Sequence, residues 1–115
     1  MGREEQNPVE RVVSYIRENI EKDISVGVLA DLIGVTPEYL SRVFKKVKGV
    51  SLKKYIINEK IEASENFLKY TDKSIGEISE HCAFGSQSRF TQYFRERHGV
   101  TPSAYRRIFQ QEHEI

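Results

Sequence analysis

Residues 28–50 read VLADLIGVTPEYLSRVFKKVKGV and residues 77–100 read EISEHCAFGSQSRFTQYFRERHGV. Laid over each other, they are one unit written twice. Phe44, Gly49, Val50 and Tyr55 recur 50 residues on as Phe94, Gly99, Val100 and Tyr105, while Leu40 and Ser51 recur as Phe90 and Thr101. Ahead of the turn the displacement is 49: Ser25, Gly27, Leu29, Asp31 and Val35 answer to Ser74, Gly76, Ile78, Glu80 and Phe84. The second copy therefore carries one extra residue in its turn. A helical solenoid needs about three or more repeats to be stable, so two copies predict two small lobes and not an array.

Within each copy the punctuation is helical. Ser25 caps a short helix with Val28, Leu29 and Leu32 inward that ends at Gly34; Thr36-Pro37-Glu38 opens the next, where Leu40, Val43, Phe44 and Val47 repeat as a buried stripe. Gly49 stops it as a left-handed C-cap. In the second copy Ser74 and Glu77 form a capping box for a helix ending near Ala83, and a further helix runs from Ser86 to His98, stopped by Gly99. Outside the copies, Asn7-Pro8-Val9-Glu10 starts a helix expected to run from Pro8 to Lys22, with Val9, Val12, Val13, Ile16 and Ile20 on one face. Thr101-Pro102 starts a last one. No alternating stretch argues for a sheet, so the fold class is all-α with seven helices.

Between the copies a long helix is expected from residue 52 to about Tyr70. Leu52, Ile56, Ala63, Phe67 and Tyr70 form one apolar stripe and Ile57, Ile61 and Leu68 a second, roughly 135° away on the wheel, as suits a helix packed against both lobes. The expected organisation is a tail or linker remnant over 1–7, a first lobe over 8–51, the linker helix over 52–70, a second lobe over 71–111 and a tail over 112–115. Residues Met1 to Gln6 read as a linker remnant or an expression scar. Gly2 is not expected to be myristoylated, because Gln6 stands where Ser or Thr is needed.

Composition removes other classes. At 38% hydrophobic and 30% charged residues the chain is neither a disordered tail nor a membrane span. Its apolar runs are a few residues long and no secretory core follows Met1, so the expected address is the cytoplasm, with no membrane partner. The lone Cys82 rules out an internal disulfide and a thiolate metal site. His81, His98 and His113 are too scattered to bind a metal together, and neither a carboxylate pair nor a phosphate loop is evident; no cofactor and no enzymatic activity is expected.

The formal net charge of +1 conceals two basic islands. Between Pro37 and Lys54, Arg42, Lys45, Lys46, Lys48, Lys53 and Lys54 face Glu38 alone; between Ser86 and Arg107, Arg89, Arg95, Arg97, Arg106 and Arg107 face only Glu96. A solvated helix face is the plain reading of such runs; a polyanion touching the chain twice is the other. The repeated unit itself, a short helix, a tight turn and a longer basic helix, has the form of a homeodomain-like helix-turn-helix. With Leu40 inward, Glu38, Ser41, Arg42 and Lys45 lie away from the core; with Phe90 inward, Ser88, Thr91, Gln92 and Arg95 do, and Gln87 opens the second reader. Arg suits guanine, Gln suits adenine, and Ser or Thr suits either. Glu38 either favours its helix dipole or accepts from cytosine. Lys45, Lys46, Lys48, Arg89, Arg95, Arg97 and Arg106 are the expected phosphate contacts, helped by amides at helix starts. Tyr39, Tyr93, Phe44, Phe94, Tyr55 and Tyr105 fall at core spacings and are expected to pack. A linker of about 18 residues spans roughly 27 Å, against about 34 Å between successive major grooves on one DNA face, so two readers are expected in adjacent grooves with some DNA bending.

At these residues the sequence resembles the DNA-binding domain of the AraC/XylS family of bacterial transcription regulators, over about Val9 to Arg107. The likeness rests on Ala30, Gly34-Val35, Tyr39-Leu40, Arg42, Phe44-Lys45 and Gly49-Val50-Ser51 in the first half. In the second it rests on Ile78, Phe84, Ser86-Gln87-Ser88, Phe90, Phe94, Gly99-Val100-Thr101-Pro102 and Tyr105-Arg106. The resemblance implies two helix-turn-helix units on a linker helix binding double-stranded promoter DNA, with base contacts at Glu38, Ser41, Arg42, Gln87, Ser88 and Gln92. It further implies RNA polymerase as a candidate partner and a sensor or receiver domain N-terminal in a longer parent, unless the chain is a stand-alone regulator. Three positions depart from the pattern: Ala83 where Gly is frequent, which predicts a strained second turn; Gln92 where a basic residue is frequent; and Lys60-Ile61 in place of Arg-Leu. The rival classes are a helical protein-interaction module and an RNA-binding domain.

Overall fold

A computed structural model describes residues 7–113. Gly2 and the rest of the tail before Asn7, and the last two residues of the 112–115 segment, lie outside them. Among the described residues the structure is helical without strands: α1 Pro8–Glu18, α2 Val26–Ile33, α3 Pro37–Lys48, α4 Leu52–Tyr70, α5 Ile75–His81, α6 Gln87–His98 and α7 Pro102–Glu112. The chain forms two units. The first runs to Ile20 and from Ile24 to Ile56; the second takes Glu21–Asp23 and the chain from Ile57 onward.

Side-chain caps fix where most helices begin. Asn7, Ser25, Thr36, Ser86 and Thr101 each accept a backbone N–H from the first turn that follows, at 2.8 to 3.2 Å. Ser74 and Glu77 complete the expected capping box, at 3.0 and 2.8 Å. Three ends differ from expectation. α1 stops at Glu18 and not Lys22, because Asn19 turns its side-chain amide back onto the Tyr15 carbonyl at 2.9 Å and caps the helix there. α5 stops at His81, and α6 starts at Gln87 with Ser86 serving as its cap.

The turns of the two units are built from the same backbone bonds. Val35 N–H donates to Ala30 O and Gly34 N–H to Asp31 O, at 3.0 and 3.2 Å; 49 residues on, Phe84 N–H donates to Ser79 O and Ala83 N–H to Glu80 O, at 3.0 and 3.1 Å. This pairing is a Schellman motif, which puts its central residue in the left-handed region. Gly34 adopts φ +74° without steric cost, whereas Ala83 adopts φ +56° as the one non-glycine residue with positive φ among those described. The strain predicted for the second turn is therefore located on Ala83. Gly85, at φ +94°, is the extra residue that moves the repeat from 49 to 50.

Each unit has its own core. In the first, Val9, Val12, Val13, Ile16, Leu29, Ala30, Leu40, Phe44, Leu52 and Ile56 are buried; in the second, Ile61, Leu68, Ile78, Cys82, Phe84, Phe90 and Phe94. The duplication extends to ring geometry. Phe44 meets Tyr55 edge-on at 5.3 Å and Phe94 meets Tyr105 edge-on at 5.1 Å.

Several core expectations need correction. On α2 the inward stripe is Val26, Leu29, Ala30 and Ile33, which leaves Val28 and Leu32 exposed; with eight residues the helix has room for one covered face only. Val47, in the last turn of α3, is exposed. The two stripes of α4 are divided by position along the helix: Leu52 and Ile56 join the first core, while Ile57, Ile61, Ala63, Phe67 and Leu68 join the second. Tyr70 stands 71% exposed at the helix end, edge-on to Phe109 at 5.7 Å.

Lys60 is buried, against the usual exposure of lysine. Its Nζ donates to Cys82 O at 2.7 Å and to Lys22 O at 2.8 Å, so its charge completes the C-terminal end of α5 and ties Glu21–Asp23 into the second unit. Burial pulls its pKa below the ordinary 10.5, with Cys82 and Asp23 acting in the opposite direction. Ser64, also buried, donates to Ile61 O at 2.6 Å.

Candidate nucleic-acid interface

On α3 the Thr36 cap and Pro37 set the first turn, and burial of Leu40 and Phe44 turns Glu38, Ser41, Arg42 and Lys45 outward. These four, with Lys46, Pro37 and Val26, line a shallow open concavity of the first unit. On α6 the Ser86 cap and the buried Phe90 and Phe94 do the same. Gln87, Ser88, Gln92 and Arg95 are exposed and share a second concavity with Thr91 and Glu96. The six residues expected to read bases thus fall into two groups, one per unit, each on the outer face of the second helix of its turn.

The expected phosphate contacts separate. Lys45, Lys46 and Arg95 line the same concavities as the expected readers, while Lys48 and Arg97 are exposed outside both. Arg89 lines a neighbouring concavity of the second unit with Gly85, Ser86 and Gln87. Arg106 leaves the set. Its Nε donates to Leu68 O at 3.0 Å and its Nη2 to Phe67 O and Thr71 O at 3.3 and 3.2 Å, so the guanidinium is engaged by carbonyls at the end of α4, of which Phe67 O also accepts from the Thr71 backbone N–H and Oγ1 at 3.2 and 2.6 Å.

Three residues near these faces were not expected there. Tyr39, placed in the core by its spacing, is 47% exposed, and its ring lies 5.3 Å from the guanidinium carbon of Arg42. Position 39 is next to the inward Leu40, a register that could have signalled exposure. Glu96, noticed only as the lone acid of its island, accepts from Gln92 Nε2 at 3.3 Å. Gly76 makes room for the Gln87 side chain, since a Cβ there would come within 3.1 Å of Gln87 Oε1. Its match with Gly27 in the repeat was the available signal.

Other chemistry finds little support in these groups. Among the described residues, no group of three or more His, Cys, Asp or Glu is placed to hold a metal, and no helix is long and apolar enough to cross a membrane. The Cys82 thiol is buried, which pushes its pKa from 9.0 to about 11 and makes it a poor nucleophile.

The profile of a family described as "Helix-turn-helix domain" matches residues 29–108, from the first turn through α7. The chain belongs to this family, in its AraC-type branch of transcription regulators. It is 30% identical over 104 residues to the bifunctional transcriptional activator/DNA repair enzyme AdaA of Bacillus subtilis, a match covering 90% of this chain and 49% of that one. The AraC-type domain thus spans about half the length of that relative. A transcriptional regulator from Chromobacterium violaceum, described as having an AraC-type DNA-binding domain, is 29% identical with a TM-score of 0.81, over 94% of this chain and 95% of that one. In fold the AraC-type domain is also similar to the DNA-binding domain of AdpA, a global transcriptional factor crystallised with a target DNA, at a TM-score of 0.89 and 23% identity, over 94% of this chain and 97% of that one.

Proposed function

We propose that the chain binds double-stranded promoter DNA in a sequence-specific manner as the output module of a bacterial AraC-type transcription regulator, with no covalent chemistry of its own. One observation carries the reading: two copies of a capped helix-turn-helix each turn a polar, Lys/Arg-flanked face outward from the second helix. In this reading α3 and α6 enter the major groove at adjacent half-sites. Arg42 takes guanine; Gln87 and Gln92 take adenine; Ser41 and Ser88 adapt to either; Glu38 accepts from cytosine. Lys45, Lys46, Lys48, Arg89, Arg95 and Arg97 neutralise phosphates. A sensor or receiver domain precedes the module in the parent protein, RNA polymerase is the partner through which transcription responds, and the complex resides on the nucleoid in the cytoplasm.

Salt titration against duplex DNA tests the class. Six phosphate contacts give a log–log slope of roughly −5, and Lys46→Ala lowers it by about one while weakening all sequences alike. A shallow line would favour a protein-interaction module, and tighter binding to RNA than to duplex DNA would favour an RNA-binding domain. Either result overturns the proposal.

A further inference from the structure

The two reader helices steady their central readers by different means. Positions 42 and 92 correspond in the repeat, one an arginine and the other a glutamine. Arg42 lies over the ring of Tyr39, three residues before it and therefore on the same side of α3. Gln92 donates to Glu96, four residues after it on α6. The corresponding positions are exchanged in kind: Tyr39 matches Arg89, and Glu96 matches Lys46. Lys46 can offer a guanidinium only repulsion. Each copy pairs its reader with the neighbour that suits it, a π face for the guanidinium and a carboxylate for the amide.

Core packing does not account for either neighbour. Tyr39 has its backbone N–H held by Thr36 Oγ1 at 3.2 Å, so its turn of helix is fixed while nearly half of the residue stays in solvent. Glu96 is exposed. Their effect on reading follows from donor chemistry. An arginine fork already restricted by a ring loses less rotamer freedom when it bonds two acceptors of guanine. A carboxylate only accepts, so the Gln92 amide must turn its nitrogen to Glu96. One N–H and the carbonyl oxygen then remain for the paired bonds that adenine offers.

We propose that Tyr39 and Glu96 are positioning residues that sharpen base preference through Arg42 and Gln92. This rests on the reading of Arg42 and Gln92 as base readers. The test is selection from a random duplex pool with the full chain and its variants, compared at equal helical content. Tyr39→Leu should flatten preference about two- to five-fold at the base pairs that Arg42→Ala flattens and nowhere else, the size of an exposed cation–π contact. Tyr39→Phe, which keeps the ring, should restore it, and Tyr39→Leu combined with Arg42→Ala should be no flatter than Arg42→Ala alone. Glu96→Ala should cost about two-fold at the Gln92 positions, with Glu96→Gln recovering part through its oxygen. Uniform weakening at all sequences, no rescue by phenylalanine, or additive losses in the double variant would each overturn the proposal. If Arg42→Ala left every base preference intact, the reader assignment itself would fail and take the proposal with it, a result distinguishable from loss of the neighbour's effect alone.

Discussion

The matched turns permit a reciprocal exchange, Gly34→Ala in the first unit and Ala83→Gly in the second. At position 34 the backbone sits at φ +74°, and no atom lies within 4 Å of where a Cβ would stand, so the substitution adds left-handed strain and no clash. An L-residue in that region costs about 1–2 kcal/mol, offset by about 0.4–1 kcal/mol from the smaller entropy of the unfolded chain. The net expectation is a loss of about 1 kcal/mol. At position 83, at φ +56°, the same quantities reverse sign. Removing a half-buried methyl takes back a few tenths, which leaves a gain of about 0.5 kcal/mol. Urea unfolding followed by far-UV circular dichroism reads both, with slopes unchanged and midpoints moved in opposite directions. On heating, the pair should differ by roughly 4–8 °C. A neutral Gly34→Ala, or an Ala83→Gly that destabilises, would refute the reasoning that the two turns are one motif with strain in only one copy.

Arg106→Ala should destabilise by about 2 kcal/mol through the Leu68 and Thr71 carbonyls it leaves at the end of α4, yet leave the salt slope of DNA binding unchanged, whereas Arg97→Ala should lower that slope by about one. A lowered slope with unaltered melting would return Arg106 to the phosphate contacts. Cys82, held protonated up to about 11 in the folded chain, binds more protons there than in the unfolded chain. Its contribution to stability is complete below pH 9 and is lost as pH rises toward 11, by up to about 2–3 kcal/mol. Lys60 has the opposite sign, because its folded-state pKa is lowered and its contribution grows toward pH 10.5. Melting between pH 9 and 10.5 should therefore fall in the parent chain and stay level or rise in Cys82→Ala; an equally steep fall in both would contradict the assignment.

The fold was legible wherever a local rule decides the backbone. Asn7, Ser25, Thr36, Ser74 and Thr101 cap as their residue types require, and the shift from 49 to 50 in the repeat marked the turn where Gly85 is found. Periodicity was weaker at short helices, since in eight residues of α2 the stripe 28/29/32 and the stripe 26/29/30/33 fit almost equally well, and only the packed partner chooses. The exposure of Glu38, Ser41 and Arg42 on α3 and of Gln87, Ser88 and Gln92 on α6 followed from the inward Leu40 and Phe90. Arg106, Lys60 and Tyr39 did not. A cation's partner lies at long sequence separation, 38 residues for Arg106 with Leu68 and for Lys60 with Lys22, so composition sees only a charge where the fold has placed a cap. Tyr39 was misplaced for the converse reason, an aromatic side chain spent on its own helix neighbour and not on the core.

Two helices that each read bases independently, as proposed for α3 and α6, would leave a direct signature in base preference. Base preferences selected from a random duplex pool should fall into two separate clusters, one flattened by Arg42→Ala alone and the other by Gln92→Ala alone, each by about 1–3 kcal/mol at the affected base pair. A single cluster, or two substitutions that flatten the same positions, would contradict it.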